Sequence, residues 1–86
     1  MTPEEELLRA DKAKQVLSNP VYGEAVKEVQ DHILALIVHT EDTDKDRFHA
    51  LGLRLKHHHS LIRQLQSYME TGLLVEEEKR RKGLFR

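Results

Sequence analysis

Apolar residues recur along this chain at three- and four-residue spacing in three blocks, separated by Asn19-Pro20 and by the acidic stretch Glu41 to Asp46. That period predicts three amphipathic helices. The first is expected over about residues 3–18: Thr2 can cap it, Pro3 suits its first position, and Glu5 sits where a capping box places its acid. Its face is thin and rich in small residues, Leu7, Ala10, Ala13, Val16 and Leu17, so it reads as a short packing arm. The second is expected over about 20–41, because a proline disfavours helical geometry in the residue before it and so breaks the chain at Asn19. Tyr22, Ala25, Val26, Val29, Ile33, Leu36 and Ile37 share one broad stripe, which makes this the main core helix; Leu34 and Val38 fall on its flank.

The third helix is expected over about 44–70, with Thr43 as its cap and Asp44 and Asp46 near its positive end. Gly72, after Thr71, can take the left-handed conformation that ends many helices. About 27 residues at 1.5 Å each make a rod of roughly 40 Å, which overhangs any small core and must be covered by the first helix, the tail or another subunit. Phe48, Leu51, Leu55, His58, Ile62, Leu65 and Met69 recur at alternating spacings of three and four, the seam of a packed helix pair. Ala50, Leu53, Leu61 and Tyr68, with His57 among them, form a second and weaker face. Beyond Gly72, Glu76/Arg80, Glu77/Arg81 and Glu78/Lys82 are acid-to-base pairs four residues apart, which favour a short exposed helix. The chain then closes on Leu84 and Phe85, a candidate docking tail.

The fold class that follows is all-α: an antiparallel helical hairpin with a short N-terminal helix and a charged C-terminal helix, with residues 1–72 as the hairpin unit and 73–86 as the tail. With 86 residues, 38% hydrophobic and 34% charged, one core of this size is marginal by itself, so a homo-oligomer is expected. The candidate interface comprises Val29, Ile33, Leu36 and Ile37 of the second helix and the seven seam residues of the third. No cysteine is present to form a disulfide or a thiolate zinc site. The longest apolar run, Ile33 to Val38, is far short of the roughly 20 residues that cross a bilayer. The acidic start is unlike a secretory signal, so a cytoplasmic setting is expected.

Three consecutive histidines, His57 to His59, raise the question of a metal site. Neighbours on a helix point about 100° apart, however, and none of the three has a histidine four residues away. His32 and His39 share a face but stand about 10 Å apart. His58 alone occupies the seam, where a hydrogen-bonded histidine in the packing, or one that fixes register, is the expected role; His59 lies at its edge. The carboxylate clusters, Glu4 to Glu6, Asp42, Asp44, Asp46 and Glu76 to Glu78, sit at helix ends or in the tail, where capping and solvation are their plainer role. No glycine-rich phosphate loop is present, and Ser60 stands on no strained turn. The expectation is a protein that is not an enzyme and takes no cofactor or metal.

A formal charge of -1 supplies no global field for a polyanion. Arg47, Arg54, Arg63, Arg80 and Arg81 are nonetheless candidate nucleic-acid contacts, set against the plainer reading of a solvated face. In "VLSNPVYGEAVKEVQDHIL" and "DRFHALGLRLKHHHSLIRQLQSYMETGLL" the chain resembles short all-helical proteins of tailed phages and prophages. The shared features are the break at Asn19-Pro20, the Ala/Val-patterned second helix, the acidic corner, the long third helix and Thr71-Gly72. The resemblance implies a virion or assembly component that partners itself and other phage structural proteins, in the host cytoplasm and in the virion. Two other readings stay open: a nucleic-acid-binding packaging or regulatory accessory protein, and a small host-directed inhibitor acting by protein contact.

Overall fold

The computed structural model describes residues 1–84, which form three helices, α1 (Pro3–Leu17), α2 (Pro20–Val38) and α3 (Lys45–Leu84). The N-caps explain why two of them start where they do. The Thr2 hydroxyl accepts from the Glu5 backbone N–H at 3.2 Å, the expected cap. It also donates to the Glu5 carboxylate at 3.0 Å, so that carboxylate meets the cap's hydroxyl and not, as in a full capping box, its backbone N–H. The Asn19 side chain accepts from the N–H groups of Val21 and Tyr22 at 2.9 and 3.3 Å, and Pro20 follows at the first helical position. Only Ser18 and Asn19 therefore separate α1 from α2. The expected Thr43 cap of α3 is replaced by Asp44, whose carboxylate accepts from the Arg47 N–H at 3.2 Å. A carboxylate there also meets the positive end of the helix dipole.

α2 ends at Val38, three residues before the expected limit, with His39 as its C-cap. Thr40 is buried and turns its hydroxyl back to donate to the Leu36 carbonyl at 2.6 Å, which satisfies one of the last carbonyls of the helix. The larger correction is in α3. The expected stop at Thr71-Gly72 and the separate helix after it are absent, and α3 runs without a break for 40 residues. Gly72 has no positive φ; a glycine permits a left-handed stop without compelling one, and packing against α1 keeps this one helical.

At 1.5 Å per residue α3 spans about 60 Å, close to the full 65 Å length of the molecule. α1 and α2 follow one another along it, both antiparallel to it. Glu4 meets Lys79 at one end and Ala10 meets Gly72 further along, with the long Arg9 side chain reaching on to Tyr68, so α3 numbers fall from one end of α1 to the other as α1 numbers rise. α1 is thus no minor arm: α3 packs most extensively on α1, less on α2, and α1 barely touches α2. The result is a rod with a radius of gyration of 18.6 Å, against about 12 Å for a compact domain of this length.

Candidate helix interface

The seam read from the sequence faces inward. Leu51 is buried and Phe48, Leu55, His58, Ile62, Leu65 and Met69 are half-buried; on α2, Ile33 is buried, Leu36 and Ile37 are half-buried, and Val29 is exposed. Burial of these side chains packs α3 on α2 toward the N-terminal end of α3 and on α1 beyond, within one chain. The same three-four spacing continues one step beyond Met69 to Gly72, a position whose local signal is that of a helix stop. There α1 and α3 approach so closely that a Cβ on Gly72 would collide with the Cβ of Ala10. Small residues at a helix contact shorten the interaxial distance, and Ala13, one turn on from Ala10, is among the buried residues. Tyr68 supports the same contact, lying half-buried beneath the Arg9 guanidinium, which stands 4.0 Å from its ring centroid.

The histidines separate as expected in position: His57 and His59 are exposed and His58 is half-buried. The expected hydrogen bonding of His58 is not complete. Its Nε2 is buried with no partner among the described residues, and its ring stands 6.0 Å from that of His59, tilted by 43°. Its seam neighbours one turn away on α3, Leu55 and Ile62, are apolar and supply no partner. Among the described residues no group of three histidines, cysteines or carboxylates is placed to hold a metal ion.

A second stripe runs along α3, roughly a third of a turn from the seam at 100° per residue. It begins with Ala50, Leu53, His57 and Leu61 and continues through Gln64, Tyr68, Thr71 and Val75. α1 covers its C-terminal half, where Tyr68 and Thr71 are half-buried and Val75 is buried. α1 ends at Leu17, and the N-terminal half stays open, with Leu61 63% exposed and Leu53 40%. On α2, Val21, Ala25 and Val29 make a matching exposed row; Val21 is 72% exposed and Val29 48%. The sense of rotation reverses when one helix of an antiparallel pair is viewed from its other end. The flanks reached by stepping back from the seam on α2 and on α3 therefore open on the same side of the hairpin.

The remaining candidate residues are scattered. Arg47, Arg54, Arg63, Arg80 and Arg81 are all exposed, and Arg81 donates to Glu77 at 3.2 Å. The other two expected pairs of the tail, Glu76/Arg80 and Glu78/Lys82, are not formed among the described residues, as exposed side chains of this length gain little by holding one geometry. Leu84 closes α3, and Phe85 lies outside the described residues. The acidity of Glu4 is displaced. Its backbone N–H first, and then the Lys79 ammonium at 3.4 Å, hold it below the usual carboxylate range. No helix among the described residues is long and apolar enough to cross a membrane. The chain matches no protein-family model, and no curated protein or solved structure is significantly similar to it.

Proposed function

We propose that this protein is a non-enzymatic, self-associating helical assembly factor, and that a second copy covers the open face formed by Val21, Ala25 and Val29 of α2 with Leu53, His57 and Leu61 of α3. The observation that carries this reading is the accessible surface. A compact monomer of 10.1 kDa exposes about 5,300 Å², whereas this chain exposes 7119 Å² and, among the described residues, has no large side chain fully buried. The surplus exceeds the roughly 800 Å² that each partner contributes to a standard interface. Resemblance of the sequence to small tailed-phage proteins supports virion assembly as the setting, with other phage structural proteins as further partners.

Sedimentation velocity at about 100 µM protein tests it, and a species of at least twice the chain mass is expected. Glutamate at both Leu53 and Leu61 should return that species to monomer without loss of helical circular dichroism, because a charge in a desolvated apolar contact costs several kcal/mol. Glutamate at Leu74, an exposed residue on another side of α3, should leave it associated. A wild-type monomer at that concentration overturns the reading.

A further inference from the structure

Acidic and basic residues alternate over most of the chain, yet from Arg47 to Met69 α3 contains no acidic residue. That segment carries Arg47, Arg54, Lys56 and Arg63 together with four histidines, and none of the four bases belongs to an ion pair among the described residues. The bases divide between two directions. Arg47 and Arg54 lie close to the seam with α2. Lys56 and Arg63 point elsewhere and fall in line with Lys45: the spacings of eleven and seven residues bring all three within about 20° of one another. His49 and His59 flank that line, and all five side chains are exposed. α3 thus has three faces over its N-terminal half: a seam, an apolar stripe, and a basic row about 27 Å long from Lys45 to Arg63.

We propose that this basic row binds the phosphate backbone of a nucleic acid, independently of the self-association face. A straight helix holds its charges in a fixed line, and a polyphosphate chain supplies a regular line of anions along which each neutralised phosphate releases a counterion. The surroundings favour that ligand over two others. The clefts beside Lys56 and Arg63 are lined mainly by polar groups, Ser60, Gln64, Gln66 and Ser67, of the kind that contact phosphate and sugar. Leu55 borders one of them, and Glu70, seven residues beyond Arg63, closes the row at its C-terminal end. A membrane surface would require large apolar side chains between the bases, and those of the N-terminal half of α3 lie on the other two faces. An acidic helix docking as a partner would likewise require an apolar anchor row. The contacts are to phosphate alone, so binding is sequence-independent. With only a few charges engaged it is weak and shows a modest salt slope, and several copies in one assembly would add their rows together.

Fluorescence anisotropy of a labelled 20-nucleotide single strand and a 20-base-pair duplex, titrated with the full chain between 25 and 300 mM KCl, tests the proposal. Each phosphate neutralised on a duplex contributes about -0.9 to the slope of log K against log salt, so roughly three bases predict a slope of about -2 to -3. Lys56→Gln and Arg63→Gln should each flatten it by about one, and the double substitution should abolish binding above 100 mM salt; Arg47→Gln, on a different face, should leave the slope unchanged. Gln is a good helix former, and circular dichroism checks that each variant folds. Three results overturn the proposal: no binding at 25 mM salt, a slope indifferent to Lys56 and Arg63, or equal competition by polyglutamate at matched charge, which would indicate an acidic protein partner. Sedimentation of the same variants keeps the two faces apart: Gln at 56 and 63 should leave the oligomer intact, so loss of DNA binding and loss of assembly are read separately.

Discussion

Gly72 of α3 lies against Ala10 of α1 with no room for a side chain between them: a Cβ built on Gly72 would overlap the Ala10 Cβ and stand 3.8 Å from its Cα. Neither obstructing atom belongs to a flexible side chain, so relief requires the two helices to move apart. Gly72→Ala should therefore destabilise the protein by about 1 to 3 kcal/mol, even though alanine is intrinsically the better helix former by about 1 kcal/mol. Gly52, with open space around it, is the internal control, and Gly52→Ala should stabilise by up to that same amount. Ala10→Gly combined with Gly72→Ala should recover part of the loss in urea unfolding. Equal stabilisation by both single alanines would refute the close approach.

Arg9 and Tyr68 form the neighbouring link between the same two helices. The guanidinium stands 4.0 Å from the ring centroid, and the Arg9 Nε is buried with no hydrogen-bond partner among the described residues. A desolvated cation over an aromatic face contributes about 0.5 to 2 kcal/mol. Tyr68→Phe keeps the ring and should be close to neutral, whereas Tyr68→Leu and Arg9→Met should each destabilise. A double-mutant cycle on the latter pair should return a coupling within that range; a coupling of zero would mean that the ring and the guanidinium merely pass one another.

Much of this architecture is legible in the sequence, and its failures share one cause. The starts of α1 and α2 follow from Thr2, Pro3, Asn19 and Pro20 because caps and prolines act locally, through groups a few residues away. The seam from Phe48 to Met69 follows from periodicity. Gly72 was misread because a glycine after a long helix carries the same local signal whether it ends the helix or admits a neighbour, and only Ala10, sixty-two residues earlier, decides between them. The importance of α1 was hidden likewise: a face of alanines has little hydrophobic weight, yet it lets backbones approach closely. One clue was present, since the three-four spacing of the seam lands on Gly72 itself. The split of the second stripe depends on where α1 ends, and no periodicity within α3 contains that.

Glu4 ties the far end of α1 to Lys79. Its carboxyl titrates below the usual carboxylate range in the folded chain, so the folded state favours the ionised form. The contribution to stability is present above the unfolded value of 4.5 and is lost as pH falls through the lower folded value. Both partners are exposed, so the effect is small and salt-screened. Melting temperatures of the wild type and Glu4→Gln should differ most at neutral pH and low salt and converge toward pH 3. A gap that widens on acidification would reverse the sign and dismiss the contact.

His58 occupies the seam with one ring nitrogen buried and unpaired, between Leu55 and Ile62 on the same face. A buried polar group without a partner costs about 1 to 3 kcal/mol, and leucine at this position would remove that cost while adding apolar surface to the contact with α2. His58→Leu should raise the melting temperature by several degrees, since about 1 kcal/mol shifts a domain of this size by roughly 4 to 8 °C. His59→Leu, at an exposed position beside it, should change stability by no more than about 0.5 kcal/mol. A polar seam residue can also exclude wrong registers at a cost in stability. If His58 does so, the more stable leucine variant will populate additional oligomers in native mass spectrometry where the wild type shows one. A destabilised His58→Leu would mean that Nε2 finds a partner in the assembled protein, and the histidine would then be a bonded member of the interface.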